Sequence, residues 1–207
     1  MPRFPQIEGF VLAGGKSSRM GRDKALLEIA GKPLLKRAAE LLEPLTASVT
    51  LIGEPQRYSH LGLPVLADRW PGEGPLGGIV TALEASRALW CLILACDMPF
   101  LTPEWLTWLV ERAAALGNAS STDTVVPESA RGLEPLCAAY RITCAVPLAA
   151  AFARGVRKVT DAIAELKLEK IPETEWHKFS PDRSLFRNLN TWEDYVAARD
   201  QMDTRDS

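Results

Sequence analysis

Short apolar runs alternate along the chain with segments whose apolar residues recur at helical spacing. The runs are typical of β-strands, and those at 49–52 and 90–95 are almost wholly apolar, as expected of strands that are covered on both faces. The predicted strands are residues 9–12, 49–52, 65–66, 90–95, 125–126 and 137–140.

An apolar stripe at helical spacing predicts a core helix over residues 33–45. Pro33 falls in the first turn, where proline is tolerated because the amide there has no intrahelical partner. The stripe consists of Leu34, Leu35, Ala38, Leu41, Leu42 and Leu45.

Capping signals mark two further helices. Thr102 followed by a proline predicts a helix start, and Gly117 can supply the left-handed residue that ends the same helix. Thr191 with Asp194 three residues later resembles a capping box, which predicts a last helix reaching about Arg199.

Strands that alternate with helices predict an α/β fold with three layers. We expect a Rossmann-like, mostly parallel sheet with helices on both faces. Further helical stretches are predicted near 146–153 and 159–166, and residues 201–207 are predicted to form a disordered tail. Because no repeat or Gly/Ser-rich linker divides the chain, residues 1–200 are predicted to form one domain.

The composition is that of an ordinary globular protein, with 47% hydrophobic and 24% charged residues among 207. A formal net charge of −2 gives no general attraction for nucleic acid or an anionic membrane, so we expect neither as a partner. The apolar stretch at 89–95 is too short to span a bilayer, and the N-terminus lacks the apolar core of a secretion signal. We therefore expect a cytoplasmic protein.

The cysteines and histidines show no metal-binding pattern. The four cysteines form no C-x-x-C pair and three of them lie in apolar segments, so neither zinc nor a disulfide is expected. His60 and His177 lack partners at ligand spacing.

A glycine-rich segment at 11–24 follows the first predicted strand directly. Glycines at the carboxyl end of a parallel strand let backbone amides approach phosphate oxygens, and basic side chains nearby bind those oxygens strongly. The basic residues within nine positions are Lys16, Arg19, Arg22 and Lys24. The segment is thus predicted to bind a polyphosphate, against the alternative of a surface turn with solvated charges.

Two familiar nucleotide loops do not fit. A P-loop ending in Gly15-Lys16-Ser17 would need a glycine where Phe10 stands. Residues 72–77 match G-x-G-x-x-G as a string, but the prolines before and inside it argue against a strand leading into a dinucleotide-binding turn.

Two carboxylates are predicted near the same crevice. Asp97 ends the apolar run 90–96, where a parallel strand meets bound ligands, and is a candidate Mg²⁺ ligand or, alternatively, a turn cap. Asp68 follows a shorter run and could approach the site or cap an ordinary turn. Gly77 and Gly78 open a helix, where their small size admits a flat base or close helix packing.

The motif L-A-G-G-K-S-S-R-M-G-R-D-K at 12–24 resembles the pyrophosphorylase motif of nucleotidyltransferases that act on cofactors and sugars, and L-A-C-D-M-P at 94–99 strengthens this resemblance. The chain is most similar to the molybdenum cofactor guanylyltransferase family, which joins GMP to molybdopterin. The likeness extends to residues 31–34, 66–68, 74–78, 134–136 and 188–191.

The resemblance implies direct in-line transfer of GMP from GTP to a molybdopterin-type cofactor, with release of pyrophosphate. It implies that Leu12, Ala13, Gly14, Gly15, Lys24, Asp68, Gly77, Gly78 and Asp97 bind the nucleotide, with Arg19, Lys24 and Asp97 catalytic. Asp97 would hold Mg²⁺ at the α-phosphate, and Arg157, Asn188 and Asn190 would bind the acceptor. It further implies a donor-binding half at about 1–100, an acceptor-binding half at about 101–200, and possible molybdoenzyme delivery partners.

Two other functions stay open at this point. A cytidylyl- or sugar-nucleotidyltransferase would use the same donor chemistry, and nothing in the sequence explains a preference for guanine over cytosine. A non-catalytic protein that senses GTP or delivers the cofactor could dispense with Asp97, so the presence of Asp97 with Arg19 and Lys24 favours catalysis. In the family pattern, Glu134 often corresponds to histidine and Trp192 to proline, which puts acceptor details in doubt.

Overall fold

The structure is a computed structural model that describes residues 4–13 and 23–203. The helices are α1 (Leu34–Leu42), α2 (Pro55–Tyr58), α3 (Pro75–Ala85), α4 (Pro103–Ala115), α5 (Ala145–Ala153), α6 (Val159–Ile163), α7 (Glu173–Trp176) and α8 (Trp192–Asp203). Short 3-10 turns lie at Lys24–Leu26, Ser59–Leu61, Ile142–Cys144 and His177–Phe179. In these described ranges no helix has both the length and the apolar character needed to cross a membrane.

A mostly parallel sheet forms the centre of the molecule. The strands are β1 (Ile7–Leu12), β2 (Glu28–Ile29), β3 (Lys32–Pro33), β4 (Val49–Ile52), β5 (Val65–Leu66), β6 (Trp90–Ala95), β7 (Thr124–Ser129), β8 (Gly132–Leu133), β9 (Cys137–Arg141) and β10 (Leu168–Ile171). The sheet order is β10-β7-β9-β6-β1-β4-β5, with β8 paired to β7 and with β2 and β3 forming a separate hairpin. Of the strands along this order, only β9 runs antiparallel to its neighbours, β6 and β7.

Both faces of the sheet are covered by helices. Alternate residues of β6 enter different cores, with Trp90, Leu92 and Leu94 on one side and Cys91 and Ile93 on the other. The first core includes residues of α1 and α4, and the second includes residues of α3, α5 and α6. The predicted three-layer α/β fold is therefore confirmed.

The predicted capping signals also form. Thr102 Oγ1 accepts a hydrogen bond from the Trp105 amide at 3.2 Å, and Gly117 adopts a φ of +54° just past α4. The Thr191 amide donates to Asp194 Oδ2 at 2.9 Å while the Asp194 amide donates to Thr191 Oγ1 at 3.1 Å. These reciprocal bonds satisfy amides that have no partner inside α8.

Several predicted boundaries were wrong. Helix α1 spans only Leu34–Leu42, because Pro33 takes an extended ψ of 141° and pairs in β3. The helix predicted at 159–166 ends at Ile163, and strand β10 follows it unpredicted, since its Leu-Glu-Lys-Ile sequence lacks an apolar run. The last helix continues to Asp203, so Gln201 and Met202 are helical; residues 204–207 lie outside the described range.

Candidate active site

The central strands end beside one another. Leu12 of β1 pairs with Ala95 of β6, and the Cys96 amide donates to the Leu12 carbonyl at 3.3 Å. Asp97 therefore stands just beyond the carboxyl ends of two parallel strands, the position at which open α/β sheets bind ligands.

Asp97 is paired with Lys24. Lys24 Nζ donates to Asp97 Oδ2 at 2.7 Å, and the two side chains are only 18% and 21% exposed. The other carboxylate oxygen, Asp97 Oδ1, is buried and has no hydrogen-bond partner among the described residues. Buried polar atoms are normally satisfied, so an unsatisfied carboxylate oxygen in a crevice is suited to a bound cation or donor.

The polyphosphate segment predicted from the sequence begins and ends at this site. Gly14, Gly15, Lys16, Arg19 and Arg22 lie in 14–22, outside the described residues. The residues on either side of that range are described, and both lie close to the crevice.

Asp23, at the far end of that range, is held by two elements. Its Oδ1 accepts from the Ala25 amide at 3.1 Å, and its Oδ2 accepts from the Tyr58 hydroxyl at 2.9 Å. Burial, together with this bond to Asp23, raises the pKa of Tyr58 well above its usual range, so the hydroxyl stays a hydrogen-bond donor. Asp23 thereby fixes Lys24 with respect to α2.

A cavity of about 750 Å³ opens beside the ends of β1 and β4. Its described lining includes Leu12, Ala13, Ile52, Gly53, Glu54, Pro55, Gln56, Tyr58, Ala67, Asp68, Pro71, Gly72, Glu73, Gly74, Pro75 and Gly78. The charged side chains in this lining are all carboxylates, and both its size and its largely apolar walls are typical of a small-molecule site.

Two predicted nucleotide residues also have structural roles. Asp68 lines the cavity, yet its Oδ1 accepts from the Trp70 amide at 3.0 Å as a turn residue would. Gly78 lines the cavity as well, and a β-carbon there would approach Leu12 Cδ2 to 3.2 Å. At both positions the residue can therefore bind the nucleotide and also serve the packing of the loop or helix that carries it.

Gly77 is explained by packing. A β-carbon at this position would lie 3.2 Å from the Trp70 β-carbon, tighter than most such contacts. Gly77 is absent from the described lining of the cavity, so its small size serves the approach of α3 to the segment carrying Trp70.

The predicted acceptor residues have different neighbours. The Leu189 amide donates to the Asp97 carbonyl at 3.0 Å, which brings Asn188 and Asn190 to the crevice. Asn188 Oδ1 is buried with no partner in the described structure, whereas Asn190 is exposed. Arg157 instead donates to Glu73 Oε2 at 2.9 Å, which places it at the cavity loop.

Two cavity residues at the end of β4 were not singled out from the sequence. Gly53 follows β4 directly, and a β-carbon there would lie 2.7 Å from Tyr58 Cε2, so only glycine admits this approach. Glu54 lines the cavity next to it. The rule that ligands bind at the carboxyl ends of parallel strands, applied to 49–52 as well as to 90–95, would have found both. Glu134, which the sequence marked only through the family pattern, is a buried carboxylate between β8 and β9.

A metal ion would depend on few protein ligands here. Within the described residues there is no group of three or more His, Cys, Asp or Glu side chains arranged to hold one. Mg²⁺ commonly takes one or two carboxylates together with water and substrate phosphates, so the unpartnered Asp97 Oδ1 fits such a site.

A Rossmann-like sheet whose central strand β6 ends at a carboxylate paired with a lysine, beside a cavity of about 750 Å³, is typical of a nucleotide-binding α/β protein. Residues 9–169 match the family model of the MobA-like NTP transferase domain. The chain belongs to this family and is a nucleotidyltransferase.

Similar proteins match almost the whole chain. A probable molybdenum cofactor guanylyltransferase from Pelotomaculum thermopropionicum is 34% identical over 94% of this chain and 92% of its own length. One from Chloroflexus aggregans is 33% identical over 94% of each chain. The crystal structure of molybdopterin-guanine dinucleotide biosynthesis protein A from Archaeoglobus fulgidus superposes with a TM-score of 0.81 at 27% identity, covering 95% of this chain and 99% of that one.

Proposed function

We propose that this protein transfers GMP from GTP to a molybdopterin-type cofactor, forming the guanine dinucleotide cofactor and releasing pyrophosphate. The observation that carries the proposal is the state of Asp97. One of its oxygens is paired with Lys24, and the other is buried and unpartnered among the described residues, at the sheet edge where nucleotides bind. The choice of GTP and molybdopterin as the substrates rests on the names of the similar proteins.

In this proposal, the donor nucleotide extends across the carboxyl end of β1. The cavity lined by Leu12, Ala13, Asp68 and Gly78 accommodates the base and ribose. The triphosphate extends from there toward Lys24, where the amides of Gly14 and Gly15 and the guanidinium of Arg19 would complete its binding, as the sequence motif implies. Lys24 Nζ donates to Asp97 Oδ2, so the ammonium group stands beside the carboxylate where the phosphates would bind.

The acidic lining of the cavity favours guanine over cytosine. Guanine presents adjacent N1–H and N2–H₂ donors, which a carboxylate accepts as a pair, whereas cytosine presents one amino group beside two acceptors. Glu54, Asp68 and Glu73 supply carboxylates; Glu54 also pairs with Arg57 and Glu73 with Arg157, and neither arginine belongs to the described lining. This supports GTP as donor against the cytidylyltransferase alternative.

Asp97 is the residue that would hold Mg²⁺. The bound ion would neutralise charge on the phosphate oxygens and on the departing pyrophosphate. The remaining work of the protein is to position the reactants, since an ionised phosphate on the acceptor is already a nucleophile and needs no general base.

The acceptor approaches from the other side of Asp97. Asn188 and Asn190 are brought there by the bond between Leu189 and Asp97, and we assign them to the acceptor; Arg157, which the resemblance also assigned to the acceptor, lies instead at the cavity loop beside Glu73. This agrees with a single domain over 1–200 whose first half, to about 100, binds the donor and whose second half binds the acceptor. The buried free thiols suit a reducing cytoplasm, in which molybdoenzymes would receive the product.

Pyrophosphate release tests the proposed function. The full-length protein with Mg²⁺ and molybdopterin is given GTP, CTP, ATP or UTP in turn, and Asp97→Asn serves as the inactive control. Release with GTP alone, dependent on molybdopterin, is the expected result. Equal release with CTP would establish the cytidylyl alternative, and nucleotide binding with no release from any donor would establish a sensor or delivery protein.

A further inference from the structure

Glu134 is a carboxylate in a place where charge is costly. The residue is only 8% exposed, and burial raises the pKa of its side chain. Its Oε1 accepts from the Ser129 hydroxyl at 2.7 Å and from Arg131 Nη2 at 3.3 Å.

Stability alone does not account for an ionised group at this position. A glutamine could keep the bond from Ser129 without the cost of burying a charge. What the charge adds is the ion pair with Arg131, whose side chain is 57% exposed, so solvent around the guanidinium screens the pair and limits what it contributes to folding. The charge therefore points to a role in orienting Arg131.

Arg131 in turn contacts the segment that carries the acceptor candidates. Its Nη2 donates to the Phe186 carbonyl as well as to Glu134. Three residues further on, the Leu189 amide donates to the Asp97 carbonyl at 3.0 Å. Asn188, with its buried and unpartnered Oδ1 in the described structure, lies between these two attachments.

The backbone around Glu134 is tied to the same strand end. The Ala95 amide donates to the Leu136 carbonyl at 2.8 Å, two residues before Asp97. The Glu134 amide donates to the Pro127 carbonyl at 2.9 Å, and the Cys137 amide donates to the Glu134 carbonyl at 3.1 Å. Glu134 thus occupies a fixed position relative to β6 and Asp97.

We propose that Glu134 is a positioning residue for the acceptor: it orients Arg131, which holds the Phe186–Leu189 segment so that Asn188 faces the acceptor beside Asp97. The inference rests on the proposed function. Among the described residues, Arg131 and the Cys137 thiol interact electrostatically with Glu134, and burial raises the pKa of that thiol to about 12.

Steady-state kinetics of Glu134→Gln and Arg131→Ala test this role. Each variant is expected to raise the KM for molybdopterin about tenfold, with kcat within about twofold and GTP affinity unchanged, because uniform acceptor binding is lost and the donor site is intact. The double variant should be no worse than either single one, since both act through one contact. Glu128→Gln is the matched control, because Glu128 lies on the same hairpin, is 43% exposed and pairs with Lys170.

The outcomes separate the inference from the proposed function. A normal acceptor KM in both single variants, or additive losses in the double variant, would overturn the role of Glu134 while leaving an active wild type. Should Glu134→Gln fail to fold, Arg131→Ala alone decides, because its exposed side chain can be removed without opening the core. A wild type that releases no pyrophosphate from GTP and molybdopterin would instead overturn the proposed function.

Discussion

Lys24 Nζ lies 2.7 Å from Asp97 Oδ2, a contact that joins residues 73 apart in the chain. It brings the end of the glycine-rich segment to the end of β6, so that a positive and a negative group share one crevice. Under the proposed function, the lysine would bind a phosphate and the carboxylate a divalent cation, and both groups are held in the same place.

Replacing Asp97 by asparagine is expected to abolish most transfer while sparing the fold. The loss in kcat should be on the order of 100-fold or more, as for other removals of groups that stabilise transition-state charge. The free energy of unfolding should change by no more than about 1 kcal/mol, because the pair with Lys24 is only partly buried. Pyrophosphate release and urea unfolding measure the two effects.

Asp161→Asn is the control for this substitution. Asp161 is an exposed residue of α6 that pairs with Lys158 at 3.5 Å. Its variant should retain normal turnover. Near-normal turnover in Asp97→Asn as well would exclude Asp97 from the chemistry.

Tyr58→Phe should weaken GTP binding. The change deletes the hydroxyl that donates to Asp23 Oδ2 at 2.9 Å and leaves the ring against Gly53. Asp23 then loses a partner that fixes the residue next to Lys24, so we expect a several-fold increase in the Kd for Mg²⁺-GTP by calorimetry. The free energy of unfolding should fall by about 1 kcal/mol, the usual cost of one hydrogen bond.

Tyr195→Phe separates the two effects of Tyr58→Phe. Tyr195 donates to the Glu28 carbonyl at 2.7 Å, a bond of similar length in the smaller core under α8. This control should lose similar stability and keep normal GTP affinity. An equal loss of affinity in both variants would show that Tyr58 acts only through overall stability.

Glu134 should make the protein less stable as the pH rises from about 4 toward 7. Burial raises the pKa of Glu134 from its ordinary 4.5, and the bonds from Ser129 and Arg131 only partly oppose this. Over this interval the folded state binds more protons than the unfolded state, so stability falls with increasing pH. Glu134→Gln removes this contribution. The free energy of unfolding of the variant, relative to that of the wild type, should therefore increase as the pH rises across the interval.

Urea unfolding at pH 4, 5, 6 and 7 measures this difference. Each unit of pKa shift corresponds to about 1.4 kcal/mol of difference at the upper pH. Glu128→Gln should follow the wild-type pH profile. Parallel profiles for Glu134→Gln and the wild type would mean that the carboxyl is not destabilised by burial.

The native thiols should resist alkylation. All four cysteines are free and buried, and burial raises the pKa of Cys91 and Cys137 to about 12 and that of Cys144 to about 11. Few thiolates therefore form at pH 8, and those that form are inaccessible. Mass spectrometry after iodoacetamide treatment should show no label on the native protein and four labels after unfolding in urea. Rapid native labelling of one cysteine would reveal local opening.

Local patterns in the amino-acid sequence were enough to predict the layers of the fold and much of the site. Apolar runs such as 90–95 specify buried strands, and local capping at Thr102 and Thr191 specifies where helices begin, because both signals involve only residues close in the chain. The position of Asp97 at a strand end followed from the same local pattern.

Which distant groups meet became known from the packing of the folded chain. The pairing of Lys24 with Asp97, the bond from Leu189 to Asp97, and the burial of Glu134 beside Arg131 depend on how β6, β9 and the 186–190 segment pack together. Strand β10 was missed for the same reason, since its mixed polar residues become a strand by pairing with β7. Periodicity records which face of an element is buried, but the partner across that face is set by the summed packing of the whole chain.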